Sequence, residues 1–171
     1  RKLDGTSKLV LFGYGAYKII EPFGSFSPSK YCLVDEGITF GIAHVRGGGI
    51  LGEKFYRDGI MAKKVNGAKD YIACCQHLIN KGYTYKGGIT FYGGSAGGTL
   101  GAICANMNPE LFFAMLLLVP YVDCLTTSLN ANLPLTPGEY SVFGNPKKYK
   151  EHYEWIAAYS PYNNLKPIKY P

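Results

Sequence analysis

Residues 93–98 read Gly-Gly-Ser-Ala-Gly-Gly, between a short β-type run, Ile89-Thr90-Phe91-Tyr92, and a run of small residues from Thr99 to Ala105. A serine on so tight a strand-to-helix turn is forced into a strained backbone with its hydroxyl pushed outward. Glycines on both flanks let strand and helix pass without Cβ clashes. Ser95 therefore reads as a nucleophile that attacks a carbonyl. Two other glycine-rich loops fit less well. A phosphate loop wants a lysine ahead of the Ser or Thr that follows its last glycine, and here Gly98 precedes Thr99. A dinucleotide fingerprint wants Gly-x-Gly-x-x-Gly and an acid about 20 residues on, a pattern these glycines do not match.

Acyl transfer also needs donors where negative charge develops. The Ala96 backbone N–H, just after the nucleophile, is the usual first donor, and the second comes from the loop after an earlier strand. That loop begins Phe12-Gly13-Tyr14-Gly15-Ala16-Tyr17. The Tyr14 hydroxyl could serve, or Tyr14 could be one of 15 tyrosines filling a wall. A base and an orienting acid are needed as well, in the chain order Ser, acid, His. His152 is the one histidine after Ser95, and Asp123 lies just past an expected strand. A Ser95–Asp123–His152 triad is thus formally available. Against it, His152 sits in Lys-Glu-His-Tyr-Glu, on an expected polar helix face with no strand after it. His44, ahead of the serine, reads as a satisfied core residue.

These groups need a framework to hold them. Residues 8–13 form a near-continuous apolar run, as in a parallel strand covered on both faces. Residues 38–45, 88–92 and 115–120 are expected as further strands. Helices are expected over 29–36, 67–80, 95–106 and 146–159, the second with Tyr71, Ile72, Cys75, Leu78 and Ile79 on one stripe. Residues 14–28 and 121–145 read as loops, 50–66 as a polar connection with room for a helical turn, and the tail after Ser160 as extended. Alternating strands and helices imply a parallel sheet with right-handed crossovers and sites at the carboxyl ends of its strands. Tyr14, Arg46, Ser95 and Tyr121 come just past those ends.

The bulk composition narrows the class. A chain of 171 residues that is 47% hydrophobic and 18% charged suits one domain with a sizeable core. The net charge of +6 is dispersed, with its densest cluster at Pro146–Lys150, so a solvated surface is expected rather than a nucleic-acid partner. No apolar run approaches the ~18 residues of a membrane span. The first eight residues are polar, so no leader is expected there. Cys32, Cys74, Cys75, Cys104 and Cys124 lack metal-site spacing and read as buried free thiols of a reducing, cytoplasmic compartment. Neither a metal nor a cofactor is expected.

Several stretches together resemble the catalytic domain of the prolyl oligopeptidase family of serine peptidases, and within it the oligopeptidase B branch. They are Phe-Gly-Tyr-Gly-Ala-Tyr (12–17), His-Val-Arg-Gly-Gly-Gly (44–49), Leu-Gly-Glu-Lys-Phe-Tyr-Arg-Asp-Gly (51–59), Gly-Gly-Ser-Ala-Gly-Gly (93–98), Asn-Pro-Glu-Leu-Phe (108–112), Leu-Pro-Leu-Thr-Pro-Gly-Glu (133–139), Phe-Gly-Asn-Pro (143–146) and Tyr-Ser-Pro-Tyr-Asn-Asn (159–164). The resemblance implies an α/β-hydrolase fold, with residues 1–171 a partial peptidase domain. It makes Ser95 the nucleophile, Tyr14 and Ala96 the oxyanion donors, and Glu139 an acid that holds a Lys or Arg side chain of a short peptide. Ser141 stands where the family has a second acid, and Lys18–Pro22 lacks the paired aspartates of some members. The family's Asp and His would follow Pro171 and its propeller would precede Arg1. Both are expected to pack on this domain, and the chain alone is expected to be inactive. An esterase or lipase of the same fold, or a non-catalytic homologue, would share the elbow.

Overall fold

The computed structural model describes residues 3–22 and 28–171. Strands β1 (Leu9–Gly13), β2 (Thr39–Ala43), β3 (Ile89–Gly94) and β4 (Phe112–Leu118) form one sheet in the order β2-β1-β3-β4. Every neighbouring pair is parallel. Between and after them run α1 (Pro28–Asp35), α2 (Glu53–Arg57), α3 (Val65–Asn80), α4 (Ala96–Met107), α5 (Cys124–Leu129), α6 (Thr136–Phe143) and α7 (Lys150–Tyr159). Single 3-10 turns lie at Met61–Lys63, Pro109–Leu111 and Tyr162–Asn164.

The strand order sets the site. The chain leaves β1 for β2 on one side, then crosses back to β3 and β4 on the other. The carboxyl ends of β1 and β3 therefore lie side by side where the winding reverses, the position at which open α/β sheets bind ligands. Phe12 pairs with Tyr92 in that register. Tyr14 and Ser95 follow within a few residues, so the two strands deliver both to one spot.

Beneath this spot the packing is dense. Leu9 and Leu11 of β1, Ile89 and Phe91 of β3, and Tyr71 of α3 are fully buried. The Tyr71 ring lies 4.9 Å from that of Phe91, and its hydroxyl donates to the Leu11 carbonyl at 2.7 Å. A phenol can sit in the core because its one polar atom is satisfied. α3 shows the expected stripe: Tyr71, Ile72 and Cys75 are buried, and Leu78 and Ile79 pack against the core. α4 packs on β1, β3, β4 and α3. Its glycines lower helix propensity, but a Cβ on Gly101 would collide with the Phe91 ring. The small residue is what lets helix and sheet approach.

Three expectations change. Residues 121–145 carry two helices, α5 and α6, rather than a long loop. Asp123 caps α5 by accepting from the Thr126 N–H at 3.2 Å. Pro137 lies in the first turn of α6, where a missing N–H costs nothing. Prolines read as breakers were in fact a helix start. β4 runs Phe112–Leu118, starting directly after the Pro109–Leu111 turn and so three residues ahead of the strand expected over 115–120. Among the cysteines, Cys75, Cys104 and Cys124 are buried, Cys74 is half-buried and Cys32 is exposed on α1. The loop expected over 14–28 lies partly outside the described residues.

β4 closes one edge of the sheet and exposes Phe113, Leu116 and Leu118, with Val119 just beyond it. No helix among the described residues is long and apolar enough to cross a membrane.

Gly101→Ala tests the close packing. Helix propensity alone favours alanine by about 1 kcal/mol, whereas overpacking a buried ring costs about 1–3 kcal/mol. The expected outcome is a lower urea midpoint at unchanged m-value. A raised midpoint would mean that Phe91 has room to move.

Candidate active site

Ser95 follows β3 with φ 50° and ψ −123°, a left-handed φ that a side chain adopts only under constraint. Several contacts hold it there. Its N–H donates to the Leu118 carbonyl at 2.9 Å. Its carbonyl accepts from the N–H groups of Gly98 at 2.9 Å and Tyr121 at 3.2 Å. The flanking glycines are steric necessities: a Cβ on Gly97 would lie 2.7 Å from the Gly13 carbonyl oxygen, and one on Gly98 2.5 Å from Pro120. The serine is left exposed at the top of the sheet while Ala96 behind it is buried. The Ala96 N–H opens α4 and has no intrahelical carbonyl to meet.

The Tyr14 and Ser95 side chains interact. Burial raises the Tyr14 pKa above the ordinary phenol value, the interaction with Ser95 acts to lower it, and the carboxylates of Glu21 and Glu139 raise it further. Tyr14 is thus a neutral O–H donor at physiological pH. Its loop is pinned from two directions. The buried Lys64 donates from Nζ to the Gly15 carbonyl at 3.0 Å, and the Lys18 N–H donates to the Gly47 carbonyl at 3.1 Å. Between these pins Tyr17 and Lys18 both hold positive φ, 55° and 60°. Arg46, grouped by sequence with the site, instead grips Asp70 of α3. Its Nε and Nη2 reach the two carboxylate oxygens at 2.7 and 2.6 Å, and its own N–H adds a third bond at 3.0 Å. It braces the glycine run 47–49.

Glu139 sits half-buried in the first turn of α6, and the Tyr17 hydroxyl donates to it at 2.6 Å. Burial, then this bond to a carboxylate, raises the Tyr17 pKa well above the phenol range. Phe143, one helical turn on, meets Tyr121 at 5.3 Å and Tyr17 at 6.2 Å between ring centres. The result is an aromatic cluster that reaches Glu139 through the Tyr17 hydroxyl and Ser95 through the Tyr121 N–H. Ser141 lies about 200° around the helix from Glu139 and is exposed, so in this arrangement it turns away from that cluster.

The proposed internal triad is not assembled. His152 accepts the Asn145 N–H on Nδ1 at 2.9 Å and stacks between Tyr149 and Trp155. Asp123 is engaged in capping α5. Among the described residues no hydrogen bond joins Ser95 to a histidine. His44, expected in the core, is half-buried at the wall of a small cavity with Tyr14 and Glu21. No cluster of His, Cys, Asp or Glu that could hold a metal occurs among the described residues.

Residues 24–171 match the prolyl oligopeptidase family, peptidase S9. The chain belongs to the prolyl oligopeptidase family. Among its curated relatives are dipeptidyl aminopeptidase BI of Pseudoxanthomonas mexicana, 40% identical over 98% of the chain and 23% of the relative. Protease 2 of Moraxella lacunata is 41% identical over 98% of the chain and 24% of the relative. The chain thus spans about a quarter of the length of these relatives. Of solved structures, oligopeptidase B from Trypanosoma brucei with covalently bound antipain superposes with a TM-score of 0.91 at 40% identity, over 97% of this chain and 23% of that one. Oligopeptidase B from Leishmania major gives 0.93 at 36%, over 99% and 23%. The parallel sheet and its helices are those of this family's α/β-hydrolase catalytic domain.

Two residues of this prolyl oligopeptidase-family site escaped the sequence reading. Tyr17 was quoted only as the end of a motif; its signal would have been a second tyrosine three residues after the first, on the same turn. Lys64 had no signal, because a lysine in Met-Ala-Lys-Lys reads as solvated.

Strain at the nucleophile yields a stability prediction. A non-glycine residue in such a backbone costs of order 1–3 kcal/mol, partly offset on glycine substitution by about 0.4–1 kcal/mol of unfolded-chain entropy. Ser95→Gly is expected to raise the unfolding free energy by about 1 kcal/mol in urea titration, whereas Ser95→Ala keeps the strain and should change it little. Equal values for both variants would mean the turn is unstrained.

Proposed function

We propose that this chain is the nucleophile-bearing portion of a serine oligopeptidase that hydrolyses short peptides through an acyl-enzyme on Ser95, cleaving after Lys or Arg. The observation that carries this is Ser95 itself: exposed at φ 50° on the elbow, with the Tyr14 side chain interacting with its own and the Ala96 N–H opening the helix behind it. Membership of a peptidase family and the antipain-bound neighbour support the same reading.

In the proposed reaction Ser95 Oγ attacks the scissile carbonyl as a base takes its proton. The carbonyl oxygen gains negative charge and meets the Tyr14 O–H and the Ala96 N–H. The amine leaves with the proton, and water hydrolyses the acyl-enzyme by the reverse route. A basic side chain enters beside this aromatic cluster and pairs with Glu139, taking the place of the Tyr17 hydroxyl or sharing the carboxylate with it. Charge-assisted bonds to one carboxylate against aromatic walls give the preference for Lys and Arg. The base and its acid are assigned to further chain, a reading supported by relatives that are about four times longer. That further chain also includes a propeller packed on this domain that limits access to short peptides.

In the full-length protein, Ser95→Ala should lower kcat by about a millionfold. Tyr14→Phe should lower kcat by about a hundredfold or more with little change in KM, because its donor acts on charge present only in the transition state. Peptidase activity that survives Ser95→Ala would overturn the proposal.

Glu139→Gln should cut kcat/KM about ten- to a hundredfold for Arg substrates and little for neutral ones. An equal loss on both would remove Glu139 from the recognition of the basic side chain. The 171-residue chain alone should not turn over peptides, and rapid stoichiometric acylation by an active-site reagent would contradict this.

A further inference from the structure

Among the described residues, Lys64 is the one buried cation, and the proposed chemistry leaves it unused. It is 4% exposed. Its Nζ donates to the Gly15 carbonyl at 3.0 Å and lies 5.1 Å from the centre of the Phe143 ring. Among the described residues it has no carboxylate within ion-pair distance. Burying an ammonium this way is costly unless some anion's field offsets it. Phe143 identifies that anion. The ring stands one turn after Glu139 on α6, and its other neighbour, Tyr17, donates to Glu139 at 2.6 Å. Lys64 and Glu139 therefore flank one aromatic cluster. Asp123 also acts on Tyr121, but it is Glu139 that the Tyr17 hydroxyl ties to the cluster in front of Lys64.

We propose that Lys64 is a specificity-determining residue of the Glu139 site: its ammonium, set behind Phe143, opposes the charge that Glu139 offers and narrows the advantage of an Arg side chain over a neutral one. This rests on the reading of Glu139 as the acid that receives the substrate's basic group. Away from bulk water two unit charges interact appreciably without touching, so the ammonium also repels a guanidinium arriving at Glu139. The simpler role, a peg for the Gly15 loop, would act equally on every substrate.

Burial lowers the Lys64 pKa to about 8, with Cys124 and Glu139 pulling the other way. The other groups in this region do not titrate there. Burial pushes the Cys124 thiol up to about 12 and raises the phenols of Tyr17 on the β1 loop, Tyr121 and Tyr159 on α7 above their ordinary range. As pH climbs through 8, Lys64 loses its proton while an Arg substrate keeps its own, so the preference for Arg should strengthen.

The test measures kcat/KM in the full-length protein for two peptides that differ only in Arg or Gln ahead of the cleaved bond. Lys64→Met is expected to raise the Arg/Gln ratio about three- to tenfold at neutral pH. Glu139→Gln should lower the ratio, and adding Lys64→Met to it should raise the ratio again, because the ammonium repels a guanidinium whether or not residue 139 is charged. If Lys64→Met slows both substrates equally while Glu139→Gln lowers the ratio, Lys64 is only a peg. The inference then falls and the assignment of Glu139 stands. If Glu139→Gln leaves the ratio unchanged, that assignment fails and takes the inference with it. Should Lys64→Met not fold, the unmodified protein decides: its Arg/Gln ratio should rise between about pH 6.5 and about pH 9.5, because the catalytic base acts on both peptides and cancels. A flat ratio over that window overturns the proposal.

Discussion

The parallel pairing of β1 with β3 is the constraint on which the site depends. It places a strand early in the chain beside one that comes much later, with Phe12 opposite Tyr92. From that register, two residues of β1 overrun bring Tyr14 to the point where β3 turns out Ser95. Neither tyrosine nor serine is specialised by itself. One becomes a neutral hydroxyl and the other a strained, outward-facing serine, suited to the proposed roles of oxyanion donor and nucleophile because the two strand ends are neighbours. The pairing is secured from below by Tyr71, which packs on Phe91 of β3 and hydrogen-bonds the Leu11 carbonyl of β1.

Holding unfavourable backbone at a functional site requires compensation elsewhere. Of the five non-glycine residues with positive φ among those described, four lie near the candidate site: Tyr17 and Lys18 in one loop, Ser95 in another, and Val119 just after β4, with Met61 apart from them. Each loop is clamped by interactions remote from the reacting atoms. Lys64 and the Gly47 carbonyl hold the first, Leu118 and Tyr121 the second. The bidentate Arg46–Asp70 pair then fixes the glycine run that supports the first loop from outside. That geometry favours arginine, since a planar fork with two donors fixes orientation as well as distance.

Legibility in the sequence followed how local each signal is. The four strands and the long helices were readable because their cores repeat at a fixed period, and Ser95 because an elbow needs small residues on both sides of one turn. Glu139 came through a resemblance rather than through its surroundings, since an acid after Thr-Pro-Gly looks like a surface helix start. α5 and α6 were missed because Pro134, Pro137 and Gly138 signal a break as strongly as they signal a first turn. Lys64 was invisible for a different reason. What buries it is the meeting of the Gly15 loop with α5 and α6, three segments distant in sequence, and no local pattern encodes that.

The same meeting explains why the aromatic cluster can combine an apolar wall with charge. Tyr17, Tyr121 and Phe143 exclude water, which strengthens any ion pair formed inside but makes an empty, unpartnered carboxylate expensive. The Tyr17 hydroxyl supplies Glu139 with a donor in the absence of a ligand. Burial holds the proton on Tyr17 far more firmly than on an ordinary phenol, so this donor persists at any physiological pH. In the proposed function, a substrate cation would therefore have to improve on a good hydrogen bond, not fill a vacancy. Selectivity at such a site is the difference between two satisfied states, and it should be smaller than the bare strength of a guanidinium–carboxylate pair would imply.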